Sequence, residues 1–341
     1  MPGRTPRPGS QRVGLQFALV VLVIVGVFLD SVPAAAQAPP KVFRLGYLSP
    51  AGRTPDGGPP RPFREALRAL GYVEGRNIAY EARFAEGKLE TIPRLAADLV
   101  RLNIDVVVAQ GGAAIEAARR ATSTIPIVIA LASGDAVAVG WITSLARPGT
   151  NITGLSDESI QLSSKRMGLL KEAVPQAAVI AILWNENDHG MTLRYREIEK
   201  AARALRVEVQ AHAVREPEDF AAAFATMTRR RPDAIFVVAD VLTNMNRKRL
   251  VELAATHRIP AMYESSAIVR EGGLMSYGSN AEDEFREAAR YVDQIFKGAK
   301  VADLPAAQPT RYYLSVNRKT ATALGLMIPP SLLLQTEELV E

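Results

Sequence analysis

The residues best suited to chemistry in this chain are polar or small residues that follow predicted strands. They are Ser49, Gln110, Gly111, Gly112, Ser133, Asp135, Asn185, Asp240, Tyr263 and Tyr277. Hydroxyls, amides, carboxylates, phenols and bare glycine N–H groups hold a small polar molecule through hydrogen bonds and charge. Because ligands bind outside the carboxyl ends of parallel strands, we expect these residues to line a cleft for a small solute.

The roles within this set remain alternatives. Gly111–Gly112 open a predicted helix, so their N–H groups would face an anion. Asp135 and Asp240 stand where a carboxylate either pairs with a ligand ammonium group or caps the next helix. Tyr263 and Tyr277 either cover the apolar part of a solute or pack within the core.

Motifs for catalysis are missing from the sequence. There is no GxGxxG, GxxxxGK[ST] or GxSxG motif, and there is no cysteine. The three histidines lack metal-ligand spacing, and the pair Asp188–His189 has no nucleophile close to it in sequence. We therefore predict a protein that is not an enzyme, with no cofactor and no metal site.

The elements that must position these residues alternate strictly between strand and helix. The predicted strands of the first half are Val42–Leu48, Ile78–Phe84, Asp105–Ala109 and Pro126–Leu131. The helices between and after them include Gly112–Ala121 and Ala136–Ala146. A turn-rich segment, Arg147–Asn151, precedes a second series. Its predicted helices include Leu242–His257, Ala281–Phe296 and, at the end of the series, Arg318–Leu324. This order predicts an α/β fold with two doubly wound parallel-sheet lobes.

The N-terminal residues predict an export signal. Arg4, Arg7 and Arg12 precede the apolar run Val13–Phe28, and a small-residue stretch ends at Ala38. The run of about 16 residues is short for a membrane span of roughly 20, so cleavage near Ala38 is favoured over a retained anchor. We therefore expect residues 1–38 to be a signal peptide and the mature protein to lie in the periplasm. NAD and ATP are scarce outside the cytosol, which favours solute binding over catalysis.

The charge of the predicted mature chain does not indicate a nucleic-acid partner. Removing three arginines and one aspartate with residues 1–38 lowers the formal net charge from +5 to +3. The runs Arg229–Arg231 and Arg247–Arg249 lie on predicted helix ends or faces, as solvated surface charge does. We expect a monomer that does not bind nucleic acid.

Several longer stretches resemble a known family. They are Leu45–Ser49, Leu70–Asn77, Ser144–Gly154, Ile259–Tyr263, Gly272–Gly278 and Ala323–Pro330. Together they are similar to the ABC-transporter substrate-binding proteins, whose members include tryptophan- and tyrosine-type binding proteins. The resemblance runs from about residue 42 to 335. The family commonly has Gly-Asp-Pro-Val where this chain has Gly134–Val137, and Asn-Pro where it has Asn185–Glu186.

The resemblance implies a type I periplasmic binding fold that closes on its solute about a hinge. It implies one lobe from residues 42–154 and 278–305, and a second from 155–277 and 306–341. The implied partners are a small solute, either an amino acid or a small aromatic or branched carboxylate, and the membrane permease of an ABC importer. A periplasmic ligand sensor for a membrane receptor and an enzyme on the same scaffold remain the alternatives.

Overall fold

The computed structural model describes residues 41–131, 134–157 and 159–341, together with residue 3. The predicted signal peptide and Ser133 therefore lie outside the described residues. Residues Val42–Glu341 form one compact unit built around two separate sheets. Among the described residues, no helix combines the length and apolar character that crossing a membrane requires.

The first sheet contains five parallel strands. They are β1 (Phe43–Ser49), β2 (Ile78–Phe84), β3 (Val106–Gln110), β4 (Ile127–Leu131) and β5 (Ile152–Gly154), in the spatial order β2-β1-β3-β4-β5. Three helices follow these strands: α1 (Arg61–Ala69), α2 (Ile92–Arg101) and α3 (Gly112–Ala121). The apolar side chains of α2 and α3 pack on one face of the sheet, and those of α1 pack on the other.

The second sheet contains seven strands in the order β12-β11-β10-β9-β8-β6-β7. They are β6 (Val179–Asn185), β7 (Glu208–Val214), β8 (Ala234–Val237), β9 (Ala261–Tyr263), β10 (Met275–Gly278), β11 (Tyr313–Asn317) and β12 (Thr336–Val340). The pairing of β10 with β11 is antiparallel, and the other pairings are parallel.

The helices that follow β5 in the chain cover both faces of the second sheet, except for the one that ends at Phe296. They are α4 (Ser159–Ala173), α5 (His189–Ala204), α6 (Asp219–Arg229), α7 (Val241–Met245), α8 (Arg247–Thr256), α9 (Ser266–Arg270), α10 (Ala281–Phe296), α11 (Arg318–Leu324) and α12 (Pro330–Gln335). One core cluster joins α4, α5, α11 and α12 to the sheet, and a second joins α6, α8 and α9. The fold class predicted from the sequence, an α/β protein with two parallel-sheet lobes, is confirmed.

Helix α10 belongs to the first sheet although it follows β10 of the second. Its residues Phe285, Ala288 and Val292 pack in one cluster with Phe63 and Val128. The helix begins where the Asn280 side chain accepts the N–H of Glu282 at 2.8 Å. The negative charges of the carboxylates in its first turn are stabilised by the positive end of the helix dipole.

Within the described ranges, the chain passes between the sheets at three places. The crossovers run through Leu155–Asp157, through Ser279–Asn280 and through residues 305–312. The first and third lie side by side, since Ala307 N–H donates to Gly154 O at 2.9 Å and Ser156 N–H donates to Ala307 O at 2.8 Å.

Two predicted helices differ from the structure. Residues 136–146 form turns and bends rather than a helix: Asp135 Oδ1 caps a single turn by accepting the N–H groups of Val137 and Ala138, and that turn ends at Gly140, where φ is 77°. The predicted helix Leu242–His257 is divided at Asn246, whose amide donates to Leu242 O at 2.8 Å. The short elements β5, α9, α12 and β12 were not predicted.

Candidate functional site

A cavity of about 310 Å³ lies where the carboxyl ends of the two sheets face each other. From the first sheet it is lined by Pro50, Ala51, Gln110, Gly111 and Leu131. From the second sheet it is lined by Asp240, Val241, Asn244, Met245, Arg247, Ser265 and Ala267. A hollow of about 450 Å³ lies beside α1 and one of about 400 Å³ lies along the crossovers. We take the smaller cavity as the candidate site because loops after strands of both lobes form it.

The side chain of Gln110 is held in place by hydrogen bonds from two residues of β1. Its Oε1 accepts a hydrogen bond from the Tyr47 hydroxyl and a second, at 3.3 Å, from Ser49 Oγ. Ser49 is fully buried, and its Oγ also accepts the N–H of Ala51 at 3.1 Å. Burial raises the pKa of Tyr47, which keeps the phenol protonated as a donor. Because Oε1 is occupied, the Nε2 group of Gln110 is the part of this amide that remains for a ligand.

Gly111 lies where the two lobes meet. Its φ of 78° lies in the region that favours glycine. A Cβ placed there would lie 3.6 Å from Val241 Cγ2 and 3.7 Å from Pro50 Cγ. The Gly111 N–H donates to Leu131 O, so this N–H is not free for an anion as the sequence suggested. Gly112 begins α3 next to it.

Asp240 forms the cap of α7 and also lines the cavity. Its Oδ1 accepts the Thr243 N–H at 2.9 Å, and the Thr243 hydroxyl completes a capping box. Its Oδ2 accepts from Asn185 Nδ2 at 2.6 Å. Of the two alternatives for Asp240, the helix cap is therefore the one found, and the Asn185 side chain orients the Asp240 carboxylate. Asp240 still places negative charge at the cavity wall.

Three other predicted residues lie away from the cavity lining. The Asp135 carboxylate is directed to its own turn. The Tyr263 ring lies in the core of the second lobe with Ile268 and Val251, so the packing alternative holds for it. Tyr277 packs against the other core cluster, and its ring centroid is 6.1 Å from that of Tyr312.

A buried charged group, which we call the Glu264 cluster, lies behind the cavity wall of the second lobe. It consists of Glu264, Arg166 and Arg194, which are 8%, 2% and 1% exposed. Glu264 Oε2 accepts from Arg194 Nη2 and, at 3.0 Å, from Arg166 Nη1. Glu264 Oε1 accepts the N–H of Ala239 at 3.1 Å, and Arg194 Nη1 donates to Ala239 O at 2.9 Å. Ala239 is thus fixed through both its backbone groups.

Arg166 extends the Glu264 cluster to the crossovers. Its Nε donates to the carbonyl of Tyr277 at 2.7 Å, next to the end of β10. Burial lowers the pKa of the Arg166 guanidinium, while the charges of Glu264 and Asp157 raise it. Glu264 follows β9 directly, as the other site candidates follow their strands. Arg166 and Arg194 lie within helices, where no sequence pattern marked them.

The match to a known family covers most of the chain. Residues 61–340 match the family described as ABC transporter substrate binding protein. The chain belongs to this family. Its fold and its role as a small-solute binding protein, as inferred from the sequence, are confirmed.

Relatives of this substrate-binding protein include a tyrosine-binding protein of Clostridioides difficile (strain R20291). It is 25% identical over 265 residues, which cover 77% of this chain and 75% of the relative. Among solved structures, the ABC domain in complex with L-Trp from Streptococcus pneumonia has a TM-score of 0.81 at 23% identity, covering 88% of this chain and 100% of that one. A conserved domain protein from Vibrio cholerae reaches 0.82 at 23% identity with the same coverage. These structures share the fold.

Proposed function

We propose that this substrate-binding protein works in the periplasm as a monomer. There it captures an amino acid or a small aromatic or branched carboxylate and delivers it unchanged to the membrane permease of an ABC importer. The observation that carries the proposal is the cavity of about 310 Å³ between the strand ends of both lobes. Its wall combines amide and carboxylate groups with apolar side chains, as a site for an amino acid requires.

The walls suggest how such a solute would lie. The Nε2 group of Gln110 would face the solute carboxylate. The Asp240 carboxylate would lie near its ammonium group, so that opposite charges attract. Leu131, Val241 and Met245 would cover the apolar part.

Binding would be coupled to hinge closure. In this mechanism, residues 42–154 with 278–305 move as one lobe, and 155–277 with 306–341 move as the other. A ligand that touches both walls stabilises the closed state by its differential affinity. The two lobes are close together along the cleft, since a Cβ added at Gly87 would lie 3.0 Å from Met245 Cε and one added at Gly190 would lie 3.9 Å from Val139 Cγ1.

A thermal-unfolding screen of the chain without residues 1–38 tests the proposal. The panel contains L-tryptophan, L-tyrosine, L-phenylalanine, L-leucine, benzoate and glucose. Ligand at 100 times its Kd adds about 2.7 kcal/mol to the free energy of unfolding and raises the melting temperature. Calorimetry would then give the affinity, and mass spectrometry of the recovered ligand would check that it is unchanged. An unchanged melting temperature with every amino acid and carboxylate, or chemical conversion of one of them, would contradict the proposal.

A further inference from the structure

We propose that the Glu264 cluster couples the position of the loop at Ala239–Asp240, which brings Asp240 to the cavity, to the position of the crossovers between the lobes. Only the biological purpose of this coupling, which is to convert ligand binding into closure of the two lobes, rests on the proposed function. The coupling itself is a property of the contacts within the protein. Glu264 and Arg166 are positioning residues here, since neither lines the cavity.

On the cleft side, the cluster fixes the loop that carries Asp240. The Ala239 N–H donates a hydrogen bond to Glu264 Oε1, and the Ala239 carbonyl accepts one from Arg194 Nη1. Asp240 is the next residue, and Ser265, the residue after Glu264, also lines the cavity. A shift of the Glu264 carboxylate therefore moves two parts of the cavity wall at once.

On the hinge side, the same carboxylate reaches the crossovers through Arg166. Arg166 Nη1 lies 3.0 Å from Glu264 Oε2, and its Nε donates to Tyr277 O just before the second crossover. Burial lowers the pKa of Arg166, and the charge of Asp157 in the first crossover is among those that raise it. Gly278 also touches this region, because a Cβ there would overlap the carbonyl oxygen of Glu264.

The chemistry of the cluster suits the transmission of small movements. A guanidinium presents its donors in a rigid planar fork, so Arg166 cannot keep both of its partners if they move apart. Two cations sharing one buried carboxylate cost desolvation free energy that apolar residues would not. A cluster of this kind fixes one arrangement of loop and hinge, because any other leaves a buried charge without partners.

Hydrogen exchange in the variants Arg166→Gln and Arg166→Lys tests the coupling without any ligand. We expect Arg166→Gln to speed exchange about tenfold in peptides covering residues 239–245 as well as in those covering 277–281. Arg166 makes no direct contact with residues 239–245 in the described hydrogen bonds, so a purely local effect would leave that peptide unchanged. Arg166→Lys keeps the charge, and we expect it to restore part of the protection. The Arg166→Lys variant also provides the test of the coupling if Arg166→Gln does not fold.

The matched control is Lys165→Gln, the same charge change one residue earlier on α4, at an exposed side chain that contacts Gln335. It should leave both peptides as in the wild type. If exchange rises only at 277–281, or if it rises equally in the control, the coupling is refuted. Calorimetry with L-tryptophan and L-tyrosine is a separate readout. If the wild type binds neither, that result counts against the proposed function, while the exchange result still decides the coupling.

Discussion

Replacing Gln110 with leucine separates the two tasks of this side chain, which are to satisfy Tyr47 and to face the cavity. Tyr47 is fully buried, and Gln110 Oε1 accepts its hydroxyl. The variant Gln110→Leu leaves that hydroxyl without this acceptor and removes a bond from Ser49. A buried donor without a partner costs about 1–3 kcal/mol. We therefore expect the free energy of unfolding to fall by about 2 kcal/mol, measured by urea denaturation.

The double variant Tyr47→Phe with Gln110→Leu is the decisive control. Replacing both partners by apolar groups is nearly neutral, so most of the lost stability should return. The affinity for the ligand found in the screen should not return, because Nε2 is still absent. The expected loss is about 0.5–1.5 kcal/mol, or roughly two- to tenfold in Kd. A double variant as unstable as Gln110→Leu, or one with wild-type affinity, would refute the reasoning.

Two further predictions concern stability. Burial raises the pKa of Glu284 to about 8 from 4.5, so the folded state holds a proton that the unfolded state releases. The free energy of unfolding should therefore fall as pH rises from about 4.5 to about 8 and then level off. Glu284→Gln should flatten this decline in urea titrations at several pH values, whereas Glu287→Gln, at a partly exposed side chain of the same helix, should retain it. For the second prediction, Gly278→Ala should lower stability by about 1–3 kcal/mol, because its Cβ would overlap the Glu264 carbonyl. Gly168→Ala in α4, where a Cβ meets nothing within 4 Å, should instead stabilise by about 0.5–1 kcal/mol, and equal effects of the two would contradict this.

Local signals predicted the long elements well. Helix α10 has the predicted bounds, Ala281–Phe296, because its cap, its acidic first turn and its apolar spacing all agree. Residues 136–146 were predicted as a helix, yet only one turn follows the Asp135 cap, and it ends at Gly140, where φ is positive. A single residue in the left-handed region can end a helix that its neighbours favour.

The sequence allowed prediction of only those cavity residues that lie at or directly after the end of a strand. Gln110, Gly111 and Asp240 line the cavity because strand ends converge there. Arg247 also lines the cavity, and it begins α8 directly after the break at Asn246, which no periodicity marked. The pairing of Arg194 with Glu264 joins residues 70 positions apart and depends on the packing of α5 against the sheet. Such long-range contacts leave no trace in the spacing of a single sequence.

The return of α10 to the first sheet determines when that half of the protein can be completed. Phe285, Ala288 and Val292 fill a core whose buried members outside α10 lie between Leu45 and Ala130. A nascent chain that stops before Phe296 leaves this apolar surface open to water, and so it lacks much of the driving force to fold. Completion of the first core therefore waits until α10 has been synthesised, long after β4.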